Sequence, residues 1–228
     1  TGVSVGLSKR LTFPDDYFHL SQAISFQHYN LKNYNTGLFT FGDGYSNNLA
    51  YTVGLSRNNT TADPIYPMGG SNFAVSAKLS LPYSLFNNVD YKALKEERDG
   101  LDPTDEDDSV RISEIDQQRY NWLEFYKVKF KGDWYTRIVD KLVIKSGLEF
   151  GFLGAYNNDR GVIPFERFFL GGDGLGNYSL DGREVVQLRG YPNQSLSSTD
   201  GGTIYNKFSM EIRYPITLGA QAKIYGLG

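Results

Sequence analysis

The sequence predicts an all-β protein in the form of a transmembrane antiparallel β-barrel, and four observations favour this fold. Apolar and polar residues alternate with a period of two over several long segments. These segments exceed the ~5–6 residues that are typical of strands in globular proteins. Their polar positions carry repeated Lys, Glu and Arg, which suits a water-filled interior. Aromatic residues, 15% of the chain, collect near the segment ends, as at the two interfaces of a membrane barrel.

The alternation defines about eight strands along the 228 residues. The first half contains VSVGLSKRL, FHLSQAISFQ, NLAYTVGLS and NFAVSAKLSL. The second half contains YKVKFKGDWYTR, KLVIKSGLEFGFLGAY, IYNKFSMEIRY and ITLGAQAKIYG. In IYNKFSMEIRY, parity places Glu211 on the polar face together with Lys207 and Ser209. A soluble sandwich would bury the apolar face in a dry core, and the alternation alone leaves that alternative open.

The predicted connections alternate in length, as they do in outer-membrane barrels with short periplasmic turns and long extracellular loops. The short side comprises FPDDY, TRIVDK and RYPITLG, with DPIYPMGGS as a longer member. The long side comprises loops near 35–46, 85–121 and 157–202. Segment 85–121 is expected to be an acidic extracellular insertion with a short helix near YKALKEER. Because the pattern breaks off at both ends, residues 1–228 are expected to be part of a longer barrel domain.

Composition argues against several other classes of protein. The chain has 23 basic and 26 acidic residues, without the basic excess of a nucleic-acid-binding protein. It has no cysteine, hence no disulfide and no thiolate nucleophile. No run of 18 apolar residues predicts a transmembrane helix.

The chain also lacks the usual signatures of catalysis, cofactors and metals. His19 and His28 lie on opposite faces of one strand, so they cannot share a metal ion. DGLDPTDEDDS does not have the spacing of a calcium loop, and GGDGLGN is not followed by the helix that a phosphate loop requires. No GxSxG elbow is present. The sequence therefore predicts a protein that is not an enzyme and holds no cofactor or metal.

Three motifs in the second half carry a family resemblance. They are PFERFFLGG with Phe169, Gly171 and Gly172; LRGYPNQ with Leu188, Arg189, Gly190 and Tyr191; and SMEIRYPI with Glu211. Their order and spacing, together with GLSRNNTTADPIYPMGGSNFAVS, resemble the BamA-like outer-membrane β-barrel assembly family, which comprises POTRA-barrel insertases and translocators. PFERFFLGG resembles the approach to the family's sixth extracellular loop. LRGYPNQ resembles that loop's (V/I/L)-R-G-(F/Y) motif, and SMEIRYPI resembles the strand that follows.

The resemblance implies a sixteen-stranded barrel preceded by POTRA domains, with this chain supplying about eight strands. It implies that connection 157–202 folds back into the lumen and that Arg189 pairs there with Glu211. A guanidinium suits this role because its planar fork can bond two carboxylates and stays charged. Gly190 would let the backbone turn closely, and Tyr191 would be an amphipathic anchor.

The function that the resemblance implies is insertion and folding of client β-barrel proteins in the outer membrane of a Gram-negative bacterium. The implied partners are those clients, accessory lipoproteins with the other subunits of the assembly complex, and the lipid bilayer. A two-partner secretion translocator of the same fold is the alternative, and a simple porin is a weaker one.

Overall fold

A computed structural model describes residues 1–32, 41, 43–61, 63, 65–172, 184–218 and 223–228. Its strands are β1 (Gly2–Arg10), β2 (Phe18–Leu31), β3 (Gly44–Asn58), β4 (Gly70–Ser80), β5 (Tyr126–Val139), β6 (Leu142–Gly154), β7 (Phe168–Leu170), β8 (Glu184–Val186), β9 (Ile204–Leu218) and β10 (Lys223–Leu227). Its helices are α1 (Tyr91–Asp99) and α2 (Glu106–Tyr120), preceded by a 3₁₀ turn (Tyr83–Leu85). Most of the predicted loop 35–46 and most of GGDGLGN lie outside the described residues.

Eight strands form one antiparallel sheet in the order β1-β2-β3-β4-β5-β6-β9-β10. Each strand pairs with its neighbour in the chain, except that the β6–β9 connection carries the small parallel pair β7–β8. The sheet is open, with β1 and β10 at its edges. The prediction of an all-β antiparallel fold with about eight strands is confirmed, and the sheet has the form of a segment of barrel wall.

The strand registers keep the apolar residues on one face across the whole sheet. Val75 of β4 lies opposite Phe130 of β5, which lies opposite Phe150 of β6. On this face Phe208 is 77% exposed, whereas Lys127 on the polar face is 2% exposed. A sandwich would show the reverse, because its apolar faces meet in a dry core. The exposed apolar face is the one that a membrane barrel turns toward lipid.

The connections alternate in length along the sheet. Those at 11–17, 59–69 and 140–141 are short, and they share one end of the strands. Those at 81–125 and 155–203 are long and lie at the opposite end. At the short-turn end the hydroxyl of Tyr66 bonds the carbonyls of Lys141 and Arg213, at 3.0 and 2.9 Å, and links two turns to β9.

The acidic connection is more ordered than a solvated loop, since it contains two helices and not one. The predicted helix near YKALKEER is α1. The second, α2, begins where the acidic run lies, because the Asp105 carboxylate accepts hydrogen bonds from the amides of Asp107 and Asp108. Acidic residues in the first turn of a helix are stabilised by its dipole. Among the described residues, no helix combines the length and apolar content needed to cross a bilayer.

The prediction of a turn at RYPITLG is wrong. Strand β9 continues through Pro215 to Leu218, and the opposite strand shifts its register between Ile224 and Tyr225. Proline has no amide hydrogen to donate, so a strand tolerates it at such an irregularity.

Candidate functional site

The described residues of connection 155–203, which are 155–172 and 184–203, pack on the polar face of the sheet. Phe168 of β7 is fully buried, and its ring lies 4.7 Å from that of Tyr205 in β9. Backbone hydrogen bonds join Phe168 and Gly202 in both directions, at 2.9 and 2.8 Å. Phe168 and Tyr205 belong to a buried cluster on this face, formed by Leu31, Phe41, Tyr120, Leu123, Phe125, Leu153, Ile163, Phe165, Phe168, Phe169, Val186 and Tyr205. The protein therefore has its apolar core on the side that the strands make polar.

Three strand lysines hold this connection, and we call Lys78, Lys127 and Lys129 the lysine row. The Lys127 ammonium lies 2.9 Å from the carboxylate of Glu166 and 2.5 Å from that of Glu184. Lys78 also bonds Glu166, and Lys129 lies 3.0 Å from Glu184. The two glutamates precede β7 and begin β8, so the lysine row fixes both sides of the small parallel pair to the wall.

A second contact fixes the beginning of the connection. The Arg160 guanidinium lies 2.9 Å from the Glu124 carboxylate, and the two side chains are 1% and 0% exposed. Arg160 also donates to the carbonyls of Arg119, at 2.8 Å, and Trp122. Its guanidinium lies 5.1 Å from the ring centroid of Tyr91 in α1. Arg160 thus joins the connection to both helices and to the segment that leads into β5.

The two helices are joined by a buried carboxylate. Asp116 of α2 lies 2.8 Å from Arg98 of α1 and 3.2 Å from Arg119 of α2. Hydrogen bonding to Asp116 raises the pKa of Arg98 above its usual value. Gln117 fixes α2 to β3, since its amide donates to the Tyr45 carbonyl and its oxygen accepts from the Tyr45 amide.

The structure brings the glycine pair and the LRGY motif together. Gly172 donates to the Tyr191 carbonyl at 3.0 Å and accepts from the Leu188 amide at 2.9 Å. Gly171 and Gly172 have φ angles of +121° and +100°, which favour glycine. A Cβ on Gly171 would lie 2.4 Å from the backbone carbonyl oxygen of Pro192. A larger residue there would push the two segments apart, so their contact requires glycine.

Arg189 lies at the exposed tip of this motif, followed by Gly190 with φ +90° and the half-exposed Tyr191. The charge of Arg189 acts on the Glu211 carboxylate, after those of Arg213 and Lys145. The hydrogen-bonded partner of Glu211 is Arg213, whose two nitrogens donate at 3.0 and 2.6 Å. The direct contact between Arg189 and Glu211 stays a prediction.

Sequence reasoning did not single out the residues that hold the connection. Glu166 lies inside the motif PFERFFLGG, but its partners Lys78 and Lys127 are far away in the chain. The lysines at alternate positions of β4 and β5 were the available signal, because cations buried by a loop require carboxylates from that loop. Within the described part of the chain, no group of His, Asp and Glu side chains is arranged to hold a metal ion.

Comparison with known proteins identifies the family. Residues 1–227 match the model of the Omp85 superfamily domain. BamA from Haemophilus ducreyi lacking POTRA domains 1–3 has a similar fold, with a TM-score of 0.60 and 16% sequence identity. The match covers 96% of this chain and 38% of that chain, so this chain spans well under half of its length. A comparison with curated protein sequences finds no match. The chain belongs to the Omp85 superfamily.

Proposed function

We propose that this chain is part of the barrel of an outer-membrane assembly protein, which inserts client β-barrel proteins and does no enzymatic chemistry. One observation carries the proposal. Connection 155–203 is fixed on the polar face at Arg160 and again at the lysine row, and the LRGY motif is hydrogen-bonded to Gly172 of the same connection. A simple porin conducts through a water-filled lumen, which a loop packed on the polar face narrows. Membership of the Omp85 superfamily supports the same function.

Insertion of this kind requires no nucleotide, because the client gains free energy from its own strand pairing and lipid burial. The assembly barrel would offer an open strand edge on which client strands add. It would also thin the bilayer locally through a short apolar belt. On this proposal the protein is in the outer membrane of a Gram-negative bacterium. Its partners are client barrels, accessory lipoproteins with other complex subunits, and lipid.

The role proposed for this segment is to keep wall and loop in one arrangement while the client folds. The charge of Arg189 already acts on the Glu211 carboxylate. We expect Arg189 to come closer and to share that carboxylate with Arg213. Gly190 permits the turn at the tip, since its φ of +90° favours glycine. Phe169 and the Gly171–Gly172 pair would position the tip from the approach side.

The test uses the full-length protein in liposomes with an unfolded client barrel. Client folding is measured as the fraction that resists unfolding on an unheated gel. Arg189→Ala should lower both this fraction and the temperature at which the assembly protein itself unfolds. Arg189→Lys should restore part of the loss, because a charge remains but the planar fork does not. Arg137→Ala is the control, since Arg137 is an exposed arginine near the opposite end of β5.

Unchanged client folding with Arg189→Ala would refute the assigned role of the tip. The same liposomes separate the insertase from the secretion translocator. A translocator would carry an unfolded polypeptide across the bilayer without folding it in the membrane, and its conductance would rise strongly when the loop is displaced. Polypeptide transport without folding, or a strong rise in conductance, would show that the protein is an exporter and not an insertase.

A further inference from the structure

We propose that residues 81–89, directly after β4, form an interfacial segment seated in the outer leaflet of the membrane, with lipid as its partner. The segment contains the 3₁₀ turn and leads into α1. It holds four exposed apolar side chains, which are Leu81, Leu85, Phe86 and Val89. This lipid contact is independent of which substrate the barrel handles.

Trp122 lies on the apolar side of the sheet, at the end where β4 stops. Where β4 stops, residues around Trp122 continue beside β3: Asn47 donates to the Asn121 carbonyl, and Leu123 donates to the Asn47 carbonyl, both at 2.8 Å. The Trp122 ring lies 6.3 Å from that of Phe26. Phe26 pairs with Leu49 and belongs to the apolar face. Tryptophan at the end of an apolar face is typical of the membrane–water interface.

The 3₁₀ turn is fixed by hydrogen bonds to a buried carboxylate on one side and by an aromatic contact on the other. The amide and hydroxyl of Ser84 donate to the buried carboxylate of Glu124, both at 2.7 Å. The ring of Tyr83, the preceding residue, lies 4.9 Å from that of Trp122, on the outer side. The turn therefore lies across the end of the sheet at the level of the interfacial tryptophan.

The exposed apolar side chains extend the lipid-facing surface. Leu81 follows Val75 and Leu79 at the same strand parity. Leu85 and Phe86 are each 75% exposed, as exposed as the residues on the outer face of β9. Exposed apolar side chains grouped in one short segment mark an interaction surface. Because this patch is continuous with the lipid-facing sheet, its partner is lipid, and such segments insert about 5–10 Å into the headgroup boundary.

Fluorescence quenching by brominated phospholipids tests the depth of the segment. The chain has no cysteine, so single labels are introduced into the full-length protein after any cysteine outside this chain is replaced. Phe86→Cys carries the test label. Phe208→Cys is the lipid-facing reference, and Val110→Cys on α2, 59% exposed, is the water-facing reference. The label at 86 should be quenched several-fold more than the label at 110 and approach the label at 208.

Leu85→Cys gives a second measurement, so that local damage at one position does not decide the result. Only samples that keep their folded mobility on unheated gels are compared. Quenching at 85 and 86 supports the proposal. If both labels are as unquenched as the label at 110, the patch faces water or a protein and the proposal is overturned.

Discussion

The connection 155–203 is held by two sets of charges that use similar chemistry in different surroundings. At Arg160 a single guanidinium meets Glu124 with both side chains almost fully buried. At the lysine row three ammonium groups share Glu166 and Glu184, which keep 21% and 30% of their side-chain surface exposed. The first contact is dry and depends on one pair. The second is partly wet and distributed over several pairs.

Because of this difference, the two contacts should respond differently to mutation. A charge left alone in a dry site cannot be solvated, so removing one partner there is severe. In a wet site, water and the remaining ions compensate in part. Arg160 is therefore expected to determine whether the end of the sheet with the long connections folds, and the lysine row is expected to determine whether β7 and β8 stay on the wall.

The largest loss of folding stability is expected for Arg160→Ala. It leaves the Glu124 carboxylate buried with Ser84 as its remaining hydrogen-bond donor. Removing one partner of a buried ion pair destabilises a protein by about 3–5 kcal/mol. Thermal unfolding of the full-length protein in detergent micelles measures the loss.

Arg111→Ala is the matched control, because Arg111 is more exposed and pairs with Glu97 and Glu114 at 2.7 and 2.9 Å. It should change stability by less than about 1 kcal/mol. Replacing Arg160 and Glu124 together with leucine should recover part of the loss, since no lone charge remains. Equal effects of Arg160→Ala and Arg111→Ala would show that the first contact is not dry.

An intermediate effect is expected for Lys127→Met, which keeps the length of the side chain and removes the charge that joins Glu166 to Glu184. Lys127 also lies 4.7 Å from the ring centroid of Phe168, a contact that would weaken with it. Charged hydrogen bonds contribute about 1.5–3 kcal/mol each. The β7–β8 segment should therefore loosen, and limited proteolysis within 155–203 measures this.

Lys131→Met is the control for Lys127→Met. Lys131 is on the same strand and face but is mostly exposed, and it pairs with Glu149 at 3.4 Å. Lys131 has no ion pair with the described residues of the connection, so proteolysis within 155–203 should not change. Faster cleavage in both variants would mean that the strand itself has been disturbed.

Much of this arrangement could be predicted from the sequence. The strands follow from the alternation of residues such as Lys127, Val128 and Lys129, because a one-residue slip would exchange the two faces. Helix α2 was not predicted, because its acidic start is typical of a solvated loop. The packing of Ile115 and Tyr120, which depends on distant parts of the chain, favours the helix.

The ion pairs could not be assigned in the same way. Glu124 and Arg160 are separated by 36 residues, and Lys78 and Glu166 by 88. The period of the sequence predicts that a charged side chain lies on the polar face. It does not predict which distant charge that side chain contacts. The motif at Arg189 was found because it is a local pattern. Its contacts with the glycine pair were not predicted, and its pairing with Glu211 stays a prediction.

The smallest effect on stability is expected from a change of pH, which titrates Glu166. This residue lies in connection 155–203, outside the long strands of the sheet. Burial raises the pKa of Glu166, but the charges of Lys127 and Lys78 outweigh it and lower the pKa from its ordinary 4.5 to about 2. A carboxyl group whose pKa is depressed by folding stabilises the folded state above its unfolded pKa. That contribution is lost as the pH falls from about 4.5 toward about 2.

Comparison with Glu166→Gln isolates this contribution. The difference in unfolding temperature between the protein and Glu166→Gln should be constant from pH 7 to about 5. It should shrink at lower pH, because the glutamate then becomes neutral like the glutamine. Lys78→Met should narrow the pH range of the change, since one of the two cations that lower the pKa is gone. A difference that stays constant down to pH 3 would mean that shape, and not charge, makes Glu166 fit the lysine row.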